Sequence, residues 1–99
     1  MTLLLLIACI GSVEIPAFRY DEAEACWAAD TYVADRAYWY AFAGTGGCTD
    51  LTFHMLTTEG VCWEFPGDCG GPFADDPTVA AASVQGACPK AWEEAGTCN

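Results

Sequence analysis

Seven cysteines in 99 residues, at positions 9, 26, 48, 62, 69, 88 and 98, constrain this chain more than any other feature. A domain this small buries only a thin core and usually needs further staples. No two cysteines are spaced as CxxC, and the single histidine, His54, has no cysteine within five residues. Zinc and redox sites use ligand pairs that lie close in sequence. The cysteines therefore read as a disulfide framework formed in an oxidising compartment.

Charge narrows the partners. Fourteen acidic residues stand against Arg19, Arg36 and Lys90, giving a net charge of −11. Such a chain repels nucleic-acid phosphates, so nucleic-acid binding is excluded as a class. No acidic loop has calcium-binding spacing, and one histidine with two methionines does not make a copper site. No metal or other cofactor is expected.

The N-terminal run LLLLIACI (residues 3–10) is too short to span a bilayer and suits the apolar region of a signal peptide. An upstream start would supply the basic residues that normally precede such a region. Leu6-Ile7-Ala8-Cys9 resembles the bacterial lipobox, which implies a signal peptide over residues 1–8 and a lipidated Cys9 as the membrane anchor. Residues 9–19 are then the anchor and its tether, and residues 20–99 the folded domain. Removing Cys9 from the thiol pool leaves six cysteines, an even number. The alternative is ordinary signal-peptidase cleavage near Ile15-Pro16-Ala17, which would release the protein.

Within residues 20–99 the local signals predict a small disulfide-rich α+β fold. Asp21-Glu22-Ala23-Glu24 reads as a capped helix start, and Cys26, Ala29, Val33, Ala37 and Tyr40 recur at helical spacing. The helix is expected to reach about Phe42 and stop at Gly44. It would pack on a β-hairpin, with Leu51, Phe53 and Met55 alternating on one strand and Val61 to Phe65 forming the other. Asp76-Pro77-Thr78 predicts a cap for a short helix over residues 79–85, and a tail bracketed by Cys88 and Cys98 follows.

The hairpin also suggests cysteine pairs. A loop centred between Thr58 and Glu59 sets Met55 opposite Cys62 and, carried outward, Cys48 opposite Cys69. A helix from Cys26 to Phe42 climbs ~24 Å, whereas the six steps on to Cys48 return at most ~21 Å. That disfavours Cys26–Cys48 and points instead to Cys26–Cys62, with Cys88–Cys98 closing the tail.

Gly67-Asp68-Cys69-Gly70-Gly71-Pro72 resembles the nucleophile loop of chymotrypsin-like proteases, with cysteine in place of serine. That family needs two barrels and an upstream histidine in its own context, and this chain is too short to supply them. Cys69 is accordingly read as a disulfide cysteine. No catalytic residues are assigned and no enzyme is expected.

The pieces GVCWEF, GACP and GTC (from residues 60, 86 and 96) resemble small cysteine-rich lipoproteins of myxobacteria and related bacteria. The resemblance covers about the last 40 residues and implies an envelope location without supplying an activity. The expected function is an extracytoplasmic, lipid-anchored binding or surface-structural module. A secreted effector, toxin-like protein or inhibitor is the alternative. Carbohydrate binding through Trp27, Trp39, Trp63 or Trp92 is a third.

Overall fold

From Ser12 onward the chain alternates. Val13, Ile15 and Ala17 turn to one side while Glu14 and Pro16 stay exposed on the other, the period-two pattern of a strand with one buried face. In a computed structural model that describes residues 11–41, 52–66, 70–73, 75–83 and 85–99, this segment is strand β1 (Ser12–Asp21). It lies at the heart of the domain, so the sheet begins well inside the segment assigned to a tether. Strand β2 (Cys26–Asp35) returns alongside it over all ten residues, from Asp21 opposite Cys26 to Ser12 opposite Asp35.

The expected helix is therefore replaced by a hairpin. Asp21 does act as a cap in the local sense, since its Oδ1 accepts from the amides of Ala23 (3.0 Å) and Glu24 (3.2 Å). The chain after it turns back instead of coiling, with Ala25 at a φ of 55°. An aspartate that bonds two residues on initiates turns as readily as helices. Trp27, Thr31, Tyr32 and Val33 then favour the extended state, and pairing along the whole of β1 overrides the alanines. Helical geometry survives only as a 3-10 turn at Arg36–Tyr38, capped by Asp35.

Three further strands complete the main sheet: β4 (Phe53–Thr57), β5 (Cys62–Phe65) and β7 (Val79–Ser83). The order is β2-β1-β5-β4-β7, with every pairing antiparallel. Strands β3 (Trp39–Ala41) and β6 (Gly70–Pro72) form a separate two-stranded ribbon. Asp76 repeats the behaviour of Asp21. Its Oδ1 accepts from the amide (2.9 Å) and hydroxyl (2.7 Å) of Thr78, and the chain passes into strand β7 instead of the expected helix. The one α-helical turn among the described residues, α1 (Lys90–Glu93), lies in the cysteine-bracketed tail. The fold is β-rich, not α+β.

The β4–β5 hairpin is present, but its register differs by one residue from the expected one. Met55 faces Trp63 and Leu56 faces Cys62. The turn closes through Thr57 N–H to Val61 O (2.9 Å), with Gly60 at a φ of 88°. The positive φ suits glycine and allows an odd-numbered loop. Cys48 and Cys69, expected to face each other farther along this pair, both lie outside the described residues.

Each face of the main sheet has its own cover. One face carries Ala17, Ala34, Met55 and Phe65, closed by Trp39 from the ribbon. The other carries Tyr20, Trp27 and Cys62, closed by Cys88 and Trp92 from the tail. Two disulfides hold the tail down, with cysteine partners exchanged relative to expectation. Cys26 bonds Cys98 (Cα–Cα 5.0 Å) and Cys62 bonds Cys88 (Cα–Cα 6.1 Å). Replacing the helix by a strand removes the geometry that led Cys26 to Cys62. Beside the first bridge, Trp27 gains a parallel neighbour: its N–H donates to Gly96 O and its carbonyl accepts from Cys98 N–H, both at 2.9 Å.

Candidate functional site

Tyr32 shows how strongly the sheet curls. Its register partner Ile15 places it on the face of Ala17, Trp63 and Phe65. In a flat sheet β2 and β7 would be about 19 Å apart, four strand spacings. Yet Tyr32 lines one cleft with Thr78, one residue before β7, and its ring packs in the cluster that includes Val79. The two edges must therefore bend toward each other around this face. Burial raises the Tyr32 pKa above its ordinary value; the neighbouring Thr78 side chain opposes that and the nearby Asp76 charge adds to it.

Where the edges converge, they leave an open cleft of about 550 Å³. Tyr32 and Trp63 form its aromatic part, their rings 5.0 Å apart and inclined at 72°. Arg19 stands on one wall, its Nε donating to Asp30 Oδ2 at 3.1 Å. The Thr31 amide and Arg19 together hold the Asp30 carboxyl below its usual pKa. The β4–β5 turn supplies the opposite wall through Thr57, Thr58 and Glu59. Cross-strand alternation could have suggested Arg19 beside Trp63 if residues 12–19 had been read as a strand.

A second constellation lies on the other face. His54 sits in β4 opposite Glu64 in β5 and Ser83 in β7. The ring is buried, with Nε2 3.1 Å from Glu64 Oε1 and Nδ1 3.9 Å from Glu93 Oε2. Nδ1 has no hydrogen-bond partner among the described residues. Glu93 accepts from the amides of Gly86 (3.1 Å) and Cys88 (2.8 Å). Burial pushes its carboxyl pKa up, but the Cys88 and Gly86 amides, the His54 charge and the Ala87 amide outweigh this and hold it below the usual value. The Ser83 hydroxyl donates to Gln85 O (2.6 Å) and accepts from Gln85 N–H (3.2 Å), which turns it toward the tail. This histidine–glutamate pairing was missed because the expected register put His54 opposite Trp63 instead of Glu64.

Of the sequence-derived site residues, Cys9, Cys48 and Cys69 lie outside the described residues, whereas Cys26, Cys62, Cys88 and Cys98 form the two bridges. The four tryptophans are dispersed. Trp27 and Trp39 are buried, Trp92 stacks on Tyr20 at 4.5 Å, and Trp63 alone of the four lines the cleft. Among the described residues no group of three His, Cys, Asp or Glu side chains could hold a metal ion. No helix among them is long and apolar enough to cross a membrane. No protein-family model matches the chain, and no similar curated protein or solved structure was found.

Proposed function

We propose that this chain is a small extracytoplasmic binding module, anchored at a bacterial cell envelope through a lipid on Cys9, whose ligand enters the cleft between the two sheet edges. The observation that carries the reading is the Cys26–Cys98 bridge, which spans 72 positions of sequence. A crosslink of that span, beside a second one, belongs to an oxidising compartment. The start of β1 bears on the mode of export. Cleavage after Ala17 would strip Ser12 to Ala17 from the central strand, whereas processing at Cys9 leaves β1 whole. Binding is favoured over catalysis because the polar groups around His54 are committed within the fold: Glu93 to the tail's backbone and Ser83 to Gln85.

The test is an intact mass of the protein from its host's membrane and medium, with and without reduction and alkylation. A membrane-bound form starting at Cys9, with acyl mass and bridged cysteines, is the expected result. A soluble form starting past Cys9 would replace the anchor with free secretion. Fully reduced cysteines in freshly isolated protein would overturn the extracytoplasmic reading itself.

A further inference from the structure

We infer that the cleft between β2 and the β4–β5 turn binds a neutral saccharide, with Trp63 and Tyr32 meeting the sugar's C–H face and threonine hydroxyls meeting its hydroxyl edge. This inference rests on the binding-module reading above and specifies its ligand.

Three observations point the same way. The aromatic part is held in place before any ligand arrives. Trp63 and Tyr32 brace each other edge to face, Tyr32 also packs edge-on against Phe65, and both cleft rings are half-buried and half-open. Amphipathic rings of this kind give apolar contact at little entropic cost.

The rim is made of groups that both donate and accept. Thr31 and Thr58 are exposed, and their hydroxyls have no protein partner among the described residues. Thr57 Oγ1 accepts from Val61 N–H at 3.1 Å, which leaves its O–H free to donate. An apolar floor with a few convergent polar groups is the ordinary make-up of a small-molecule site, and 550 Å³ falls within the ordinary size range. Sugar hydroxyls likewise donate and accept, so they match threonines as a simple anion or cation cannot.

Charge settles neutrality. Among the described residues Arg19 is the only cationic one lining the cleft, and Asp30 pairs with it at 3.1 Å. Glu59 then leaves the walls weakly negative in a chain of net charge −11, which disfavours phosphorylated and uronic ligands. Glu59 is exposed and stands without a second carboxylate among the lining residues, so the walls do not build a cation cage either.

The experiment is a titration of the oxidised, isotope-labelled chain followed by amide and indole NMR resonances. The probes are cellotriose, maltotriose, xylotriose and triacetylchitotriose, with glucuronate and choline as the charged controls. Saturable movement of the Trp63 indole and the Thr58 and Glu59 amides with a neutral oligosaccharide is expected, with the buried Trp27 indole unmoved. Thr58→Val, an exposed change that leaves both disulfides in place, should weaken that binding about fivefold, the loss of one hydrogen bond. Trp63→Phe, checked for an intact fold by its amide spectrum, should weaken it further. No movement with any of the four sugars overturns the inference, as does movement with choline or glucuronate alone. Either result leaves the extracytoplasmic, anchored reading standing, because that reading fails on reduced cysteines and not on sugars.

Discussion

Across β4 and β5, His54 Nε2 stands 3.1 Å from Glu64 Oε1, while Glu93 Oε2 approaches Nδ1 to 3.9 Å from the tail. One imidazole thus links the sheet to the segment that covers it. Glu93 extends the link by accepting from the amides of Gly86 and Cys88, beside the Cys62–Cys88 bridge. A polar clamp and a covalent one act at the same place. The face they close is the one that does not carry the cleft.

Glu93 should make stability depend on acid. Its folded-state carboxyl titrates below the usual value, so its contribution is complete above the ordinary glutamate pKa and is lost as pH falls through the folded one. Glu93→Gln should cost about 1.5–3 kcal/mol at neutral pH, the range for hydrogen bonds to a charged group. The gap between the two proteins should close toward strong acid. Urea unfolding of both proteins across the acid range measures it, and a gap independent of pH would show that the charge plays no part.

Tyr32→Phe tests the curl of the sheet. Removing the half-buried hydroxyl beside Thr78 should change neutral-pH stability by no more than about 1 kcal/mol. The raised pKa adds a second signature. The folded state holds the Tyr32 proton more tightly than the unfolded one, so its contribution is present below the ordinary tyrosine pKa and lost as pH rises through the folded value. The wild type should therefore weaken at alkaline pH by more than Tyr32→Phe does. Parallel alkaline stability curves for the two would argue against the contact.

Much of what was legible in the sequence was local, and what was missed was which partner each local signal served. The sequence marks Asp21 and Asp76 as residues that accept hydrogen bonds from amides two or three positions on, and both do so. That chemistry is common to helix caps and turns, and the strand waiting beside each segment decided between them. The β4–β5 hairpin was readable from its alternation, but its register was not, because the two candidate registers differ only in the parity of the loop. That single step moved Glu64 opposite His54 and hid the clamp. The cleft was invisible for a larger reason. Its walls come from β1, β2 and the β4–β5 turn, and the lipobox pattern makes residues 12–19 read as a tether.

The two hairpin turns predict substitutions of opposite sign. Ala25 holds a φ of 55°, where an L side chain costs about 1–2 kcal/mol and glycine offsets part of that gain by its own entropy. Ala25→Gly should therefore stabilise by about 0.5–1 kcal/mol. Gly60 has a φ of 88° and no atom within 4 Å of an added Cβ, so Gly60→Ala meets backbone strain without a clash. It should destabilise by about 1 kcal/mol. Thermal midpoints of the two variants should move in opposite directions, and a shift of the same sign would contradict the backbone assigned to one of the turns.

The two bridges differ in span, and their removal should rank accordingly. Chain-entropy arguments assign about 4.4 kcal/mol to a crosslink spanning 72 residues and about 3.5 kcal/mol to one spanning 26. The longer one also fixes the Gly96 carbonyl and the Cys98 amide against Trp27, and the Trp27 indole donates to Trp92 O at 2.8 Å. Replacing Cys26 and Cys98 together by alanine should thus lower stability more than replacing Cys62 and Cys88. It should also free the stacked Tyr20–Trp92 pair, seen as a loss of near-ultraviolet ellipticity before global unfolding. Denaturant unfolding of the two double variants gives the ranking. A wild-type disulfide map pairing Cys26 with Cys62 instead would dismantle the argument at its root, because the tail would then be free of β2.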